Sequence, residues 1–280
     1  MTFNRAQHRL SFEFFPPKSE AGREKLLAVA SELNILEPSF FSVTYGAGGS
    51  TRDNTMQLVK DLNAEGLSVA PHLSFGADSE ETMTELLLAY RQMGIRRIVA
   101  LRGDVPSGYG STRQMVYASK LVEFIRRHTG DHFHLEVAAY PETHPEASNY
   151  LQDIRYLKAK FEAGADSGIT QYFFNPEAYF HFIDECLKEG IEAPIYPGIM
   201  PITNYKSLAR FSDACGADIP RWIRKKLESF GDNQESIEAF GEEVTSKLCE
   251  KLLSGGAPGL HFYTMNRLSP SAGIVRNLIG

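Results

Sequence analysis

Eight short apolar runs, separated by stretches of helical period, recur along the whole 280-residue chain and limit its fold more than any one motif does. They are RLSFEFF (9–15), FFSVTYG (40–46), LSVAPHLSF (67–75), IRRIVALRGD (95–104), FHLEVAAYP (133–141), SGITQYFF (167–174), PIYPGIMP (194–201) and GLHFYTMNR (259–267). Between them lie amphipathic stretches such as SEAGREKLLAVASELNIL, TRDNTMQLVKDLNAEG, SEETMTELLLAYRQMG and PEAYFHFIDECLKEG. Several of these open on a capping residue and close at glycine, as helix ends require. Parallel strands cannot be joined by tight turns, and each crossover needs a helix. The rhythm therefore predicts an α/β protein folded as a single (β/α)8 TIM-type barrel over residues 1–280. The interval between the seventh and eighth runs is the longest and predicts extra helical structure near residues 205–252. A doubly wound open sheet is the rival, but it advertises a glycine-rich turn after its first strand. Here that turn is FFPPKSEAG.

Charge and composition exclude several functions. A net charge of −6 leaves no basic footprint for nucleic acid, and any bound phosphate must be held by local groups. The first ten residues, MTFNRAQHRL, have no apolar signal core, and no run of 18 apolar residues occurs. A soluble, cytoplasmic protein is expected. Cys186, Cys215 and Cys249 form no CxxC pair and read as buried or inert thiols. His132 and His134 fall on one face of a strand start without a completing ligand, so no metal is predicted.

Most of the runs are apolar at the start and polar towards the end: Glu13, Thr44 and Tyr45, His72, Arg102 and Asp104, Tyr140, Gln171, then Tyr263, Asn266 and Arg267. In a parallel barrel all strand C-termini share one rim, where active sites are built. Strand alternation turns Phe12 and Phe14 to the helix layer and Ser11, Glu13 and Phe15 to the other face. Glu13 is thus expected inside the barrel near the rim, where desolvation favours its protonated form and suits it to general acid chemistry. A structural Glu–Arg pair is the competing reading of such a residue.

The ordered blocks FEFFPPKS, SVTYGAGGSTRDNT, APHL, ALRGD, VAAYPETHPEA, ITQYFFN, PGIMPITNY and HFYTMNR resemble the flavin-dependent methylenetetrahydrofolate reductases of bacteria, from about residue 10 to residue 270. The resemblance implies a barrel that binds FAD and takes hydride from NADH or NADPH in ping-pong fashion. The product would be 5-methyltetrahydrofolate made from 5,10-methylenetetrahydrofolate, supplying methyl groups for methionine synthesis. It also implies a homo-oligomer, with a tetramer suggested, and no membrane or nucleic-acid partner. The chain ends soon after the eighth run, so the C-terminal regulatory domain of eukaryotic relatives, and inhibition by adenosylmethionine, are not expected.

Residue by residue, the resemblance makes Glu13 the proton donor to N10 of the folate. Asp104 becomes the carboxylate that stabilises the N5 iminium cation and tunes the cofactor. Thr44, Tyr45, Ala47, His72, Arg102, Gly103, Asp104, Tyr117, Ala118, Tyr140, His144, Ala147, Asp153 and Lys160 become the FAD contacts, with Arg102 and Lys160 supplying charge for the diphosphate. Gln171, Phe211, Tyr263 and Arg267 become the substrate contacts: an amide for the pterin edge, a ring to stack, and a cation for the glutamate tail. Tyr156 and Ala159 stand where the bacterial pattern has Asn and Arg, and Ser207 where it has Gln. Those departures bear on the adenosine and folate contacts rather than on the chemistry. Another flavin barrel oxidising a different amine, such as proline, and a binding module without turnover are the alternatives.

Overall fold

The computed structural model describes residues 3–45, 49–75, 79–102 and 117–279. Every apolar run contains a strand: β1 (Arg9–Phe14), β2 (Phe40–Val43), β3 (Val69–Leu73), β4 (Arg97–Ala100), β5 (His134–Ala139), β6 (Ser167–Thr170), β7 (Ile195–Tyr196), β8 (Gly198–Ile199) and β9 (Gly259–Tyr263). All pairings are parallel, in the order β7-β6-β5-β4-β3-β2-β1-β9-β8. The expected count of eight becomes nine because the seventh run is split at Pro197, which has no N–H to give to a ladder. Its carbonyl still accepts from His261 N at 3.0 Å, so β7 and β8 act as one staff closing a (β/α)8 barrel. The strands are shorter than the runs. Among the described residues, the surplus at the C-terminal ends, where the polar residues cluster, is loop.

Helices fill the crossovers. α1 (Glu20–Asn34) and α3 (Glu80–Gln92) start at Ser19 and Ser79, whose hydroxyls accept from Gly22 N and Thr82 N. α2 (Gly49–Ala64), α4 (Ala118–Thr129), α5 (Tyr150–Glu162) and α6 (Pro176–Lys188) continue the ring. The long interval holds α7 (Tyr205–Cys215), α8 (Arg221–Ser229) and α9 (Gln234–Ser254), as its length predicts, before α10 (Ser271–Ile279). α7–α9 build an apolar cluster of their own around Ile202, Leu208, Ile223, Leu227 and Ile237. α9 approaches the chain after β8 so closely that a Cβ on Gly241 would collide with the Ile202 carbonyl oxygen.

Alternation sorts the interior as expected. Phe12, Phe14 and Phe262 join the large core beneath the helices, with Phe14 stacked on Phe41 at 5.5 Å. Phe40, Ala70, Val99 and Ile169 fill a layer inside the barrel. Cys186 and Cys249 are buried and Cys215 is half-buried, all three unbridged. Burial pushes the Cys186 thiol up to about 12, consistent with an inert group. Among the described residues no helix is long and apolar enough to cross a membrane.

The floor of the barrel, at the strand N-termini, holds a feature the sequence reading missed. Glu136 is wholly buried and takes Arg9 Nη1 at 2.7 Å, the Arg97 guanidinium, and the Ser167 hydroxyl at 2.5 Å. Arg9 lies over the Tyr196 ring, 3.2 Å from its centroid, and both guanidiniums face Phe40. Burial alone would raise the Glu136 pKa, but His134 and the two arginines outweigh it and hold the carboxylate well below its usual range. His134 Nε2 is also 2.7 Å from Ser167 Oγ, and His132 bonds near Arg96 and the Ile95 carbonyl, so both belong to the floor's scaffolding.

Candidate active site

The mouth carries a second inward-facing carboxyl group. Glu13 sits one step below the end of β1, paired in register with Ser42 on β2 and Tyr263 on β9. Its Oε2 is 3.4 Å from His72 Nε2 and 3.7 Å from His261 Nε2, and its side chain keeps 20% of its exposure. No guanidinium reaches it among the described ion pairs. His72 is buried, and desolvation pulls its pKa down to about 4, only partly opposed by Glu13 and reinforced by His261. The ring facing Glu13 is therefore neutral at neutral pH.

Backbone around Glu13 is held from two sides. Thr264 Oγ1 donates to the Glu13 carbonyl at 2.7 Å. Asn266, with a left-handed backbone (φ 57°), accepts from Phe15 N at 2.9 Å and donates to Phe15 O at 2.7 Å, acting as a strand edge made from one side chain. Tyr263 donates its phenol to the Thr170 carbonyl at 2.7 Å, through space that exists only because residue 198 is glycine.

Beside this mouth lies a cleft of about 490 Å³. Of the residues expected to hold FAD, Tyr45, Arg102, Tyr117, Ala118, Tyr140, His144, Ala147, Asp153 and Lys160 line it. Thr44 and His72 do not: Thr44 N bonds Phe14 O, and His72 turns to Glu13. Ala47, Gly103 and Asp104 lie outside the described residues. Asp153 accepts from His144 N at 2.7 Å, and the His144 ring packs edge-on to Tyr140 at 4.6 Å. Arg102 is paired with the exposed Glu146 at 2.5 Å. Lys160 donates to Ala138 O at 2.8 Å, and burial lowers its pKa to about 8 despite Asp153 nearby, with Arg102 lowering it further.

Ser74, Leu101, Ser119, Ala138 and Glu146 also line the cleft and were not foreseen. Tyr156 and Ala159, the two departures in α5 expected to bear on the adenosine contacts but not assigned as contacts, line it too. Their spacing was the available signal, since 153, 156 and 160 share one helix face. Tyr156 stacks on Tyr117 at 6.2 Å and 20°, both half-exposed.

The expected folate contacts are less gathered. Gln171 follows β6, where its Oε1 accepts from Tyr172 N at 3.0 Å. Arg267 is exposed in the turn after β9. Phe211 is exposed on α7 beside Arg210, outside the apolar cluster of that region. Ser207 uses its amide to close the Asn204 cap of α7.

A polar mouth on a closed parallel barrel, with a carboxyl group between two imidazoles and a cleft holding two cations, defines an α/β-barrel enzyme. The chain belongs to the methylenetetrahydrofolate reductase family, whose model matches residues 2–279. It is 39% identical to the 5,10-methylenetetrahydrofolate reductase of Pectobacterium carotovorum over 270 residues, covering 96% of this chain and 89% of that one. It is 38% identical to the 5,10-methylenetetrahydrofolate reductase of Escherichia coli K12, covering 97% and 91%. The NADH-named plant relative from Arabidopsis thaliana is also 38% identical, but the match spans 48% of its length. By fold, the chain is similar to a Clostridium thermocellum protein solved with two copies of 5-methyltetrahydrofolic acid, with TM-score 0.64, 16% identity and 98% and 94% coverage.

Proposed function

We propose that this chain reduces 5,10-methylenetetrahydrofolate to 5-methyltetrahydrofolate, using NADH or NADPH as reductant and FAD held in the cleft. The observation that carries the reading is that nine residues assigned to FAD by the family pattern, drawn from five loops and helices, line one continuous cleft beside the Glu13 mouth.

The residues present fit such a group. Arg102 and Lys160 offer two cations for a diphosphate, and the partner of Arg102 among the described residues is an exposed carboxylate that an anion would displace. Ala118, Ala138, Ala147 and Ala159 leave room along the cleft, and Tyr117 with Tyr156 offers aromatic faces at its rim. When bound, FAD would supply hydride acceptance from the nicotinamide and hydride delivery to the folate, one substrate after the other. The chain's own share is to bind, orient and protonate. Glu13 delivers a proton to N10 so that the five-membered ring opens, with water limited by the apolar layer beneath.

The test is direct. Purified protein should be yellow, lose its colour with NADH under anaerobic conditions, and regain it on addition of methylenetetrahydrofolate. Colour that returns with oxygen but not with the folate would overturn the reading.

A further inference from the structure

Two imidazoles inside the barrel share one unmet need. His72 Nε2 and His261 Nε2 are both buried, and neither has a hydrogen-bond partner among the described residues. They come from β3 and β9, on either side of β1, and stand 3.4 and 3.7 Å from the same atom, Glu13 Oε2. Buried polar atoms are almost always satisfied, so two orphans converging on one carboxyl oxygen ask for a reason.

His261 is the more constrained of the two. It is 1% exposed and stands across the ladder from Ser11. Its Nδ1 is 2.8 Å from Ser11 Oγ, and its ring lies between the Phe40 face at 6.0 Å and the Tyr263 edge at 5.3 Å. Ser11 and Glu13 are two residues apart on one strand and share a face. His261 thus spans from the one to the other, tied below and open above.

We infer that His261, oriented by Ser11, is a positioning residue for the Glu13 carboxyl. Ser11 donates its hydroxyl proton to Nδ1, which fixes the ring proton on Nε2 facing Glu13 Oε2. That donor restrains rotation of the carboxyl, leaves Oε1 as the oxygen that carries the transferable proton, and stabilises the anion once the proton has gone. His72 makes the same approach from the opposite strand with weaker tethering. The gaps are too long for hydrogen bonds, and closing them takes about 0.5–1 Å, the tightening expected when substrate completes a site. The other titratable group facing this carboxyl among the described residues is Tyr263 of β9, whose phenol is spent on Thr170.

The inference rests on the proposed role of Glu13 as proton donor, so the experiment reads the pair first without turnover. In the flavin-loaded protein labelled with nitrogen-15 in its histidines, the His261 ring signals, assigned by their loss in His261→Phe, should follow the Glu13 titration. They should stop doing so in Glu13→Gln. Kinetically, His261→Phe, which keeps the ring packed on Phe40, should slow the folate half-reaction at least about 10-fold more than it slows reduction by NADH. His261→Gln, which returns a neutral donor, should recover most of that difference. Ser11→Ala should give a smaller split in the same direction, and serves where His261→Phe does not fold. His261 signals unchanged by Glu13→Gln, or both half-reactions slowed alike, would overturn the inference. Coupled His261 and Glu13 signals in a protein that reduces no folate would retire the proposed activity and leave the positioning contact standing.

Discussion

The barrel holds an inward-facing glutamate at each end, one wholly buried and one partly open, and the two live in opposite worlds. Glu136 on the floor has two guanidiniums, a hydroxyl and an imidazole around it, and its charge is fully answered. Glu13 at the mouth has two imidazoles beyond hydrogen-bond length, one of them held neutral by burial. A charge that is fully paired has no reason to give or take a proton near neutral pH. A carboxyl with no cation paired to it among the described residues, and partly open to solvent, can do both. The same side chain is thus scaffold in one place and, in the proposed reaction, reagent in the other, and the difference lies in its neighbours.

The largest effect separates the two by stability. Glu136→Gln leaves Arg9 and Arg97 buried without their anion and should destabilise the fold by about 3–5 kcal/mol, read by denaturant melts. Glu13→Gln should cost less than about 1 kcal/mol in the same melts. Equal losses would erase the contrast.

The second separates them by chemistry. Glu13→Gln should slow the folate half-reaction by about 100- to 10,000-fold while NADH still bleaches the cofactor. Folate reduction at an unchanged rate would remove Glu13 from the reaction.

Acid titration sharpens the mouth further. His72 binds its proton less tightly folded (about 4) than unfolded (6.5), so the unfolded chain takes up more protons between these values. Stability should therefore fall as pH drops from about 6.5 to about 4, by up to about 3 kcal/mol. The fall should flatten in His72→Gln. The floor responds at lower pH: the depressed Glu136 carboxylate contributes fully above the ordinary carboxylate pKa, and that contribution is lost progressively as pH falls through and below it.

The smallest effects belong to the cleft. Lys160 loses its proton near pH 8, so FAD affinity measured by fluorescence quenching should weaken by about 10-fold as pH rises through that value, and lose that dependence in Lys160→Met. Tyr156→Ala should weaken FAD binding by about 1 kcal/mol if the half-exposed ring stacks on the cofactor, and leave FMN binding unchanged.

Much of this contrast was legible in the chain, and one half was not. Period and alternation were local enough to predict every strand position and to turn Glu13 inward and Phe12 outward. The family pattern then named nine of the cleft residues. Glu136 escaped because its meaning lies in Arg9, 127 residues away, and in which strand starts meet across a closed floor. The structural Glu–Arg pair weighed as the alternative for Glu13 does exist, but two positions into β5. His261 was hidden in the same way, since GLHFYTMNR gives no sign that its ring reaches a residue on β1. The break at Pro197 was visible in the run yet read as continuous, because a carbonyl can keep a ladder going where an amide cannot. Phe211 and Arg267 were named by position in a pattern, and their exposure leaves them waiting on a ligand for a role.

Asn266 ties the ends of the barrel's first and last strands together at the mouth. One side-chain amide grips both polar backbone groups of Phe15, its N–H through the amide oxygen and its carbonyl through the amide nitrogen. Slow deamidation, the ordinary ageing reaction of asparagine, would turn that nitrogen into an oxygen and set a carboxylate against the Phe15 carbonyl. Old protein should then loosen at the catalytic rim first, with its melting behaviour little altered, so shelf time itself becomes a probe of how tightly the mouth must be held.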